Sequence, residues 1–286
     1  MAAIAHLILA HECPRQLARL INAVTHPTAD IFVHIDKNSP IDPFLKALHH
    51  HTNLRFIKNR KKIVWGAFSM VEATLQSFKE ILSTSHRFSF INLISAADYP
   101  LKAAGSIYEI LQKHEGNSFM EMHFDDSPWW MEAQQKITKY HFTDYAFPGK
   151  YLIEKVVNQI TPIRKIPNQM VFTGRSQWMT LSLNHVKYIL SFADNNPQVI
   201  RFFKHTWGPD EFIFQTILYN SPFREELVND NLRYIDWSEQ RASPKTLTIA
   251  DYYKLANSGK LFARKFNPDV DSEILDLIDS CLLERS

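Results

Sequence analysis

The chain has 286 residues, 45% of them hydrophobic and 22% charged, the make-up of a globular protein that can bury a full core. Its 7 glycines are too sparse to build a P-loop or a dinucleotide-binding fingerprint, and its 2 cysteines make neither a cysteine zinc cage nor a disulfide framework. With 32 Lys and Arg against 30 Asp and Glu the net charge is +2, which provides no global pull toward nucleic acid, and the apolar runs fall well short of the ~20 residues that span a bilayer.

Ile4–Ala10 (IAHLILA) is continuously apolar, as a strand buried on both faces must be, and residues 16–24 follow with Leu17, Leu20, Ile21 and Val24 at helical spacing. Residues 29–36 form a second strand ending in Asp36, and residues 54–57 a third. Ser69–Leu82 reads as a helix whose Ser69 and Glu72 fit a capping box, and residues 88–95 (FSFINLIS) as a fourth strand. This alternation predicts an α/β fold of Rossmann type, a mostly parallel sheet with helices on both faces. Ligands in such sheets sit beyond the carboxyl ends of the strands, where Asp36, Trp65, Gly66, Asp98 and Tyr99 fall.

Residues 117–168 differ. Trp129, Trp130 and the prolines 128, 148, 162 and 167 break any long period, so this stretch is expected to be an elaborated loop or short-helix insert facing a ligand. Regular structure resumes with a strand over 177–182, a helix over 183–192 and another over 210–218. Pro209 stands in the first turn of the last one, which would place Asp210 and Glu211 at the positive end of its dipole. No repeat, heptad or linker divides the chain, so a single domain over 1–286 is expected.

Several clusters carry chemistry. Asp210-Glu211 after a Gly-Pro turn can project a carboxylate into a cleft as a general base, although acids are favoured at helix starts for purely structural reasons. Two carboxylates of a glycosidase stand roughly 5–10 Å apart across their substrate, whereas adjacent residues on one turn diverge. Arg264 and Lys265, held between Phe262 and Phe266, can neutralise a diphosphate without a metal, or line a solvated turn. Asp36 can accept from a ribose or base, or cap the turn toward Pro40; Trp237 can stack on a sugar face or fill a core. Metal signals are weak: His49-His50-His51 reads as a polar helix end, and Asp269-Val270-Asp271, although a D-x-D, lies far from any mid-sheet strand and reads as a coincidence or a helix cap.

Seven segments in order, AHLILAH (5–11), FVHIDK (32–37), Trp65-Gly66 with residues 69–75, NLISAADYPLK (92–102), GRSQWMTL (174–181), GPDEF (208–212) and LFARKF (261–266), resemble the family of core-2/I-branching β-1,6-N-acetylglucosaminyltransferases and peptide O-xylosyltransferases, the family-14 glycosyltransferases. The resemblance implies a GT-A fold, with residues 1–116 as the nucleotide-sugar half and 117–286 as the acceptor half carrying a C-terminal phosphate-binding segment. It implies an inverting, metal-independent transfer of xylose or N-acetylglucosamine from a UDP-sugar. Glu211 falls on the family's catalytic base, and Arg264 and Lys265 on the cations that hold the UDP diphosphate.

The same resemblance points to Asp36 and Trp65 near the nucleotide, Lys245 as a further phosphate contact, and Glu121, Trp237, Asp98 and Trp178 around the acceptor. No resident cofactor and no divalent metal is expected, the UDP-sugar being a co-substrate. The partners implied are a UDP-sugar and a glycan, lipid-linked glycan or peptide hydroxyl, with no nucleic acid. The few cysteines and a first strand at the very start suggest a bacterial-type, cytoplasmic protein. Peripheral contact with the inner membrane is compatible with a lipid-linked acceptor, although no amphipathic basic helix stands out in the sequence to demand it. The alternative is a non-catalytic nucleotide-sugar or glycan-binding protein of the same fold.

Overall fold

The computed structural model describes residues 3–51 and 53–284. In chain order its strands are β1 (Ile4–Ala10), β2 (Ala29–Ile35), β3 (Leu54–Phe56), β4 (Phe90–Ser95), β5 (Asp98–Pro100), β6 (Ser118–Met120), β7 (Met122–His123), β8 (Gly174–Arg175), β9 (Met179–Ser182), β10 (Leu227–Asn229), β11 (Arg233–Ile235) and β12 (Phe262–Arg264). The central sheet runs β10-β6-β9-β4-β1-β2-β3 and is parallel except at β9, which is antiparallel to both neighbours. A second sheet, β11-β12-β5, and a short β7-β8 ribbon complete the pairing. Strands β6, β9 and β10 come from beyond residue 116, so both expected halves share one sheet.

The expected α/β architecture follows from alternation along the strands. Ala5, Leu7 and Leu9 of β1 enter one core with Val71, Phe78 and Ile81 of the helix Ser69–Leu82, whereas Ile4, Ile8 and Ala10 enter the opposite core with Leu17, Leu20 and Ile21 of the helix Pro14–Val24. The second core also takes in Phe262, Ala263 and Phe266, which bind the carboxyl-terminal segment to the first strands.

A polar row interrupts that second face. His6, Asn92 and Thr180 are register neighbours across β1, β4 and β9, and the buried Arg233 closes the row. Its guanidinium donates to Asn92 Oδ1, to Asn231 O, to Thr180 Oγ1 (3.1 Å), to Leu93 O (3.0 Å) and to Met179 O (3.1 Å). Burial, with the Arg233 charge beside it, pulls the His6 imidazole down to about 3, so it stays neutral. This row ties β11 to the middle of the central sheet.

Two local expectations are corrected. The helix Ser69–Leu82 has the expected bounds but no capping box: its first amides, from Phe68 and Ser69, donate to the Asp144 carboxylate at 2.8 and 3.3 Å. Ser69 Oγ accepts from Val64 N instead. The helix expected from Pro209 onward is two pieces, a three-residue 3-10 turn Pro209–Glu211 and a helix Ile213–Tyr219. Phe212 separates them with φ −129°, its ring buried against Phe172 and Trp129 at 4.9 and 5.5 Å. Asp210 and Glu211 therefore stand on a tight turn, outside the dipole of a long helix.

Candidate active site

The turn that carries Glu211 is fixed from two sides. Gly208 opens it in the left-handed conformation (φ 62°), and its N–H donates to Gly66 O at 2.8 Å. From the other side β8 presses so close that a Cβ on Gly174 would stand 2.1 Å from Glu211 O. The Glu211 side chain is thereby aimed at Lys136, whose Nζ donates to Oε2 at 3.2 Å while pairing with Glu132 at 2.8 Å. Lys136 Nζ also lies 4.8 Å from the Trp207 ring.

These surroundings set the acidity of the turn. Burial raises the Glu211 carboxyl above its ordinary value, against the Lys136 charge that draws it down. Burial and the Glu211 charge push Asp210 up to about 7, and its buried Oδ1 has no hydrogen-bond partner. A carboxylate raised above its ordinary value yet still reachable from solvent suits a general base.

The cation end is built by strand register. Antiparallel pairing of β12 with β5 sets Arg264 opposite Asp98, and Arg264 Nε donates to Asp98 Oδ1 at 3.0 Å. Asp98 is fully buried and also accepts from Ser95 N at 3.0 Å; burial pushes its carboxyl upward while the Arg264 charge opposes the shift. The guanidinium lies 4.4 Å over Trp178. Only Nε is engaged, so among the described residues the two Nη nitrogens face no protein acceptor. Lys265 Nζ donates to Ser243 Oγ at 3.0 Å, one of its three donors.

One short segment touches both ends. Gly174 and Arg175 lie under the Glu211 turn and beside Glu121, and three residues later Trp178 supports Arg264. Gln215 Nε2, from the helix after Glu211, donates to Ser176 O at 2.5 Å and binds the segment's middle. The Glu211 turn and Arg264 are thus referenced to a common piece of backbone.

The remaining residues singled out from the sequence fall at different distances from this arrangement. Glu121 accepts from His123 Nε2 (3.1 Å) and Asn231 Nδ2 (3.0 Å), with Arg175 Nε at 3.8 Å. Trp65, 63% exposed, stands edge-on to Trp207 at 4.9 Å, at the entry to the turn that carries Glu211. Asp36 holds its own loop: Oδ1 accepts from Asn38 N at 2.7 Å and Oδ2 from Ile63 N at 2.8 Å. Lys245 is engaged by the buried Asp251 at 2.7 and 2.9 Å, an ion pair that raises its ammonium. Its backbone N–H donates to Asp236 O, which brings it beside the exposed Trp237, and Leu247 N donates to Lys265 O, so this loop borders the Arg264-Lys265 segment.

Lys136 and Arg175 were not singled out individually from the sequence. Lys136 lies in the irregular stretch, with only the i,i+4 pairing to Glu132 as a signal. Among the described residues no three His, Cys, Asp or Glu side chains converge as a metal-holding group. Both Asp271 oxygens accept backbone amides, from Ile249 and, at the start of the helix Glu273–Ile278, from Ile274.

Comparison with known proteins bears on the same residues. A family model described as core-2/I-branching enzyme matches residues 4–256, a span that includes Glu211 and stops short of Arg264. Xylosyltransferase 2 of Rattus norvegicus is 28% identical across 96% of this chain and 33% of its own length, and xylosyltransferase 1 of Homo sapiens 26% identical across 96% of this chain and 30% of its own. The chain spans about a third of the length of these curated relatives. Among solved structures, mouse xyloside xylosyltransferase 1 in its apo form aligns over 91% of this chain and 97% of its own, with TM-score 0.44 and 11% identity.

Proposed function

The chain belongs to the core-2/I-branching enzyme family, and from that premise we propose that it is an inverting, metal-independent glycosyltransferase that moves xylose or N-acetylglucosamine from a UDP-sugar to a hydroxyl of a glycan, lipid-linked glycan or peptide. The observation that carries this reading is the pairing, over one backbone segment, of a solvent-reachable carboxylate on a fixed turn with an arginine whose Nη donors face no protein acceptor. The curated relatives named xylosyltransferase support xylose; the family description supports N-acetylglucosamine.

In this mechanism the acceptor oxygen attacks the anomeric carbon as the bond from that carbon to the diphosphate oxygen breaks on the opposite face. Glu211 takes the acceptor's proton. Arg264 and Lys265 neutralise the charge that grows on the departing UDP, the work a divalent cation does elsewhere. Asp98 and Trp178 position Arg264, and Lys136 limits how far burial raises Glu211.

The test is Glu211→Gln. The variant should bind UDP as the wild type does and lose about 10²–10⁴-fold in turnover. Undiminished transfer would remove Glu211 from the base role, and UDP binding by the wild type with no transfer across a broad panel of donors and acceptors would favour a binding protein of the same fold.

A further inference from the structure

The helix Lys150–Ile160 is turned inside out. Surface helices bury an apolar stripe and show water a polar one, yet this helix buries none of its residues. Its inward contacts are polar and recur at i, i+4 and i+8: Lys150 Nζ donates to Thr143 O and Tyr145 O, Glu154 accepts from Phe142 N at 2.8 Å, and Asn158 exchanges hydrogen bonds with the Tyr140 backbone at 2.7 and 2.8 Å. The opposite face carries Leu152 (67% exposed), Val156 (45%) and Ile160 (76%) at the same spacing, flanked by Ile153 and Ile163, which are also exposed. Because the polar side is hydrogen-bonded to the body of the protein, the helix cannot roll to hide these side chains.

Charge identifies what covers them. Residues 139–168 hold five cations, Lys139, Lys150, Lys155, Arg164 and Lys165, against two acids, Asp144 and Glu154. Both acids are engaged with the protein: Asp144 caps the helix Ser69–Leu82, and Glu154 accepts from Phe142 N. Lys139, Lys155 and Lys165 stand exposed beside the apolar residues. Lysine is depleted from protein–protein interfaces, whereas an apolar strip with lysines at its margin and tyrosines such as Tyr145 and Tyr151 nearby is the composition that enters a bilayer interface.

We propose that the Leu152-Val156-Ile160 face, with Ile163 and the surrounding lysines, docks the protein on an anionic lipid surface. Among the described residues no helix is long and apolar enough to cross a membrane, so this contact is peripheral. The proposal rests on this helix and the residues flanking it, and holds whether or not the protein transfers a sugar.

The experiment is co-sedimentation of the full chain with vesicles of phosphatidylcholine alone and of phosphatidylcholine mixed with phosphatidylglycerol, without donor or acceptor. The wild type should partition to the phosphatidylglycerol vesicles and be released by salt. The triple variant Leu152→Ser/Val156→Ser/Ile160→Ser should bind more than about tenfold more weakly, and Lys155→Glu/Lys165→Glu should lose the preference for the anionic vesicles. Both change exposed residues only, and circular dichroism checks that they fold. Equal, negligible binding of the wild type to both vesicle types would overturn the proposal. So would a wild-type dimer in solution that the triple variant abolishes while vesicle binding is unchanged, because a second copy would then cover the face.

Discussion

The two ends of the candidate site are built in opposite ways. At Glu211 the protein holds a carboxylate in partial burial, with one ammonium at 3.2 Å and a second acid next to it, so its protonation is sensitive to every neighbour. At Arg264 it holds a guanidinium fixed by a fully buried aspartate on one edge and a tryptophan face beneath. A general base must change protonation during a turnover, and a counter-ion for a leaving diphosphate must not. Under the proposed mechanism, the difference between the ends matches those two tasks.

Substitutions that blur this contrast should have graded effects. Arg264→Gln removes the permanent charge and should lower turnover by about 10²–10³-fold and weaken UDP, readable from steady-state kinetics and titration. Gly174→Ala leaves every polar group in place but drives a methyl into Glu211 O. It should cost about 1–3 kcal/mol of stability by denaturant unfolding and, under the proposed mechanism, lower kcat more than UDP affinity, because the displaced turn carries Glu211 and neither Arg264 nor Lys265.

Lys136→Met sharpens the comparison from the other side. Removing the cation leaves the burial of Glu211 unopposed, so its carboxyl should rise further. The deprotonated form is the active one, so the acid limb of kcat/KM should move to higher pH by about one pH unit. Glu132→Gln, which removes the acid whose charge raises Glu211, should move the limb the opposite way. Neither change should shift UDP affinity, and a pH profile indifferent to both would break the assignment of the limb to Glu211.

What was legible in the sequence was what depends on neighbours along the chain. Strands β1 and β4 are continuous apolar runs that only burial on both faces explains, and the bounds of Ser69–Leu82 follow from its period. The adjacency of Arg264 and Lys265 between two buried phenylalanines was visible; that Asp98 and Trp178 hold the arginine was not, since those contacts arise from strand register and from a segment some 86 residues away. Asp144 capping a helix start about 75 residues earlier in the chain is equally unreadable from local signals. Proline at a first turn with acids after it is an ordinary signal for one continuous helix, while the packing of Phe212 that splits it is tertiary. In Lys150–Ile160 a helical period was present, but a period cannot say which face turns inward.

The most direct test of the account is calorimetric titration of the wild type and Arg264→Gln with UDP in excess EDTA. If fixed cations do the work of a metal, the wild type binds UDP saturably in EDTA and Arg264→Gln does not. Absence of binding in EDTA, restored by manganese, would contradict the account and move the diphosphate from Arg264 and Lys265 to a carboxylate-held metal.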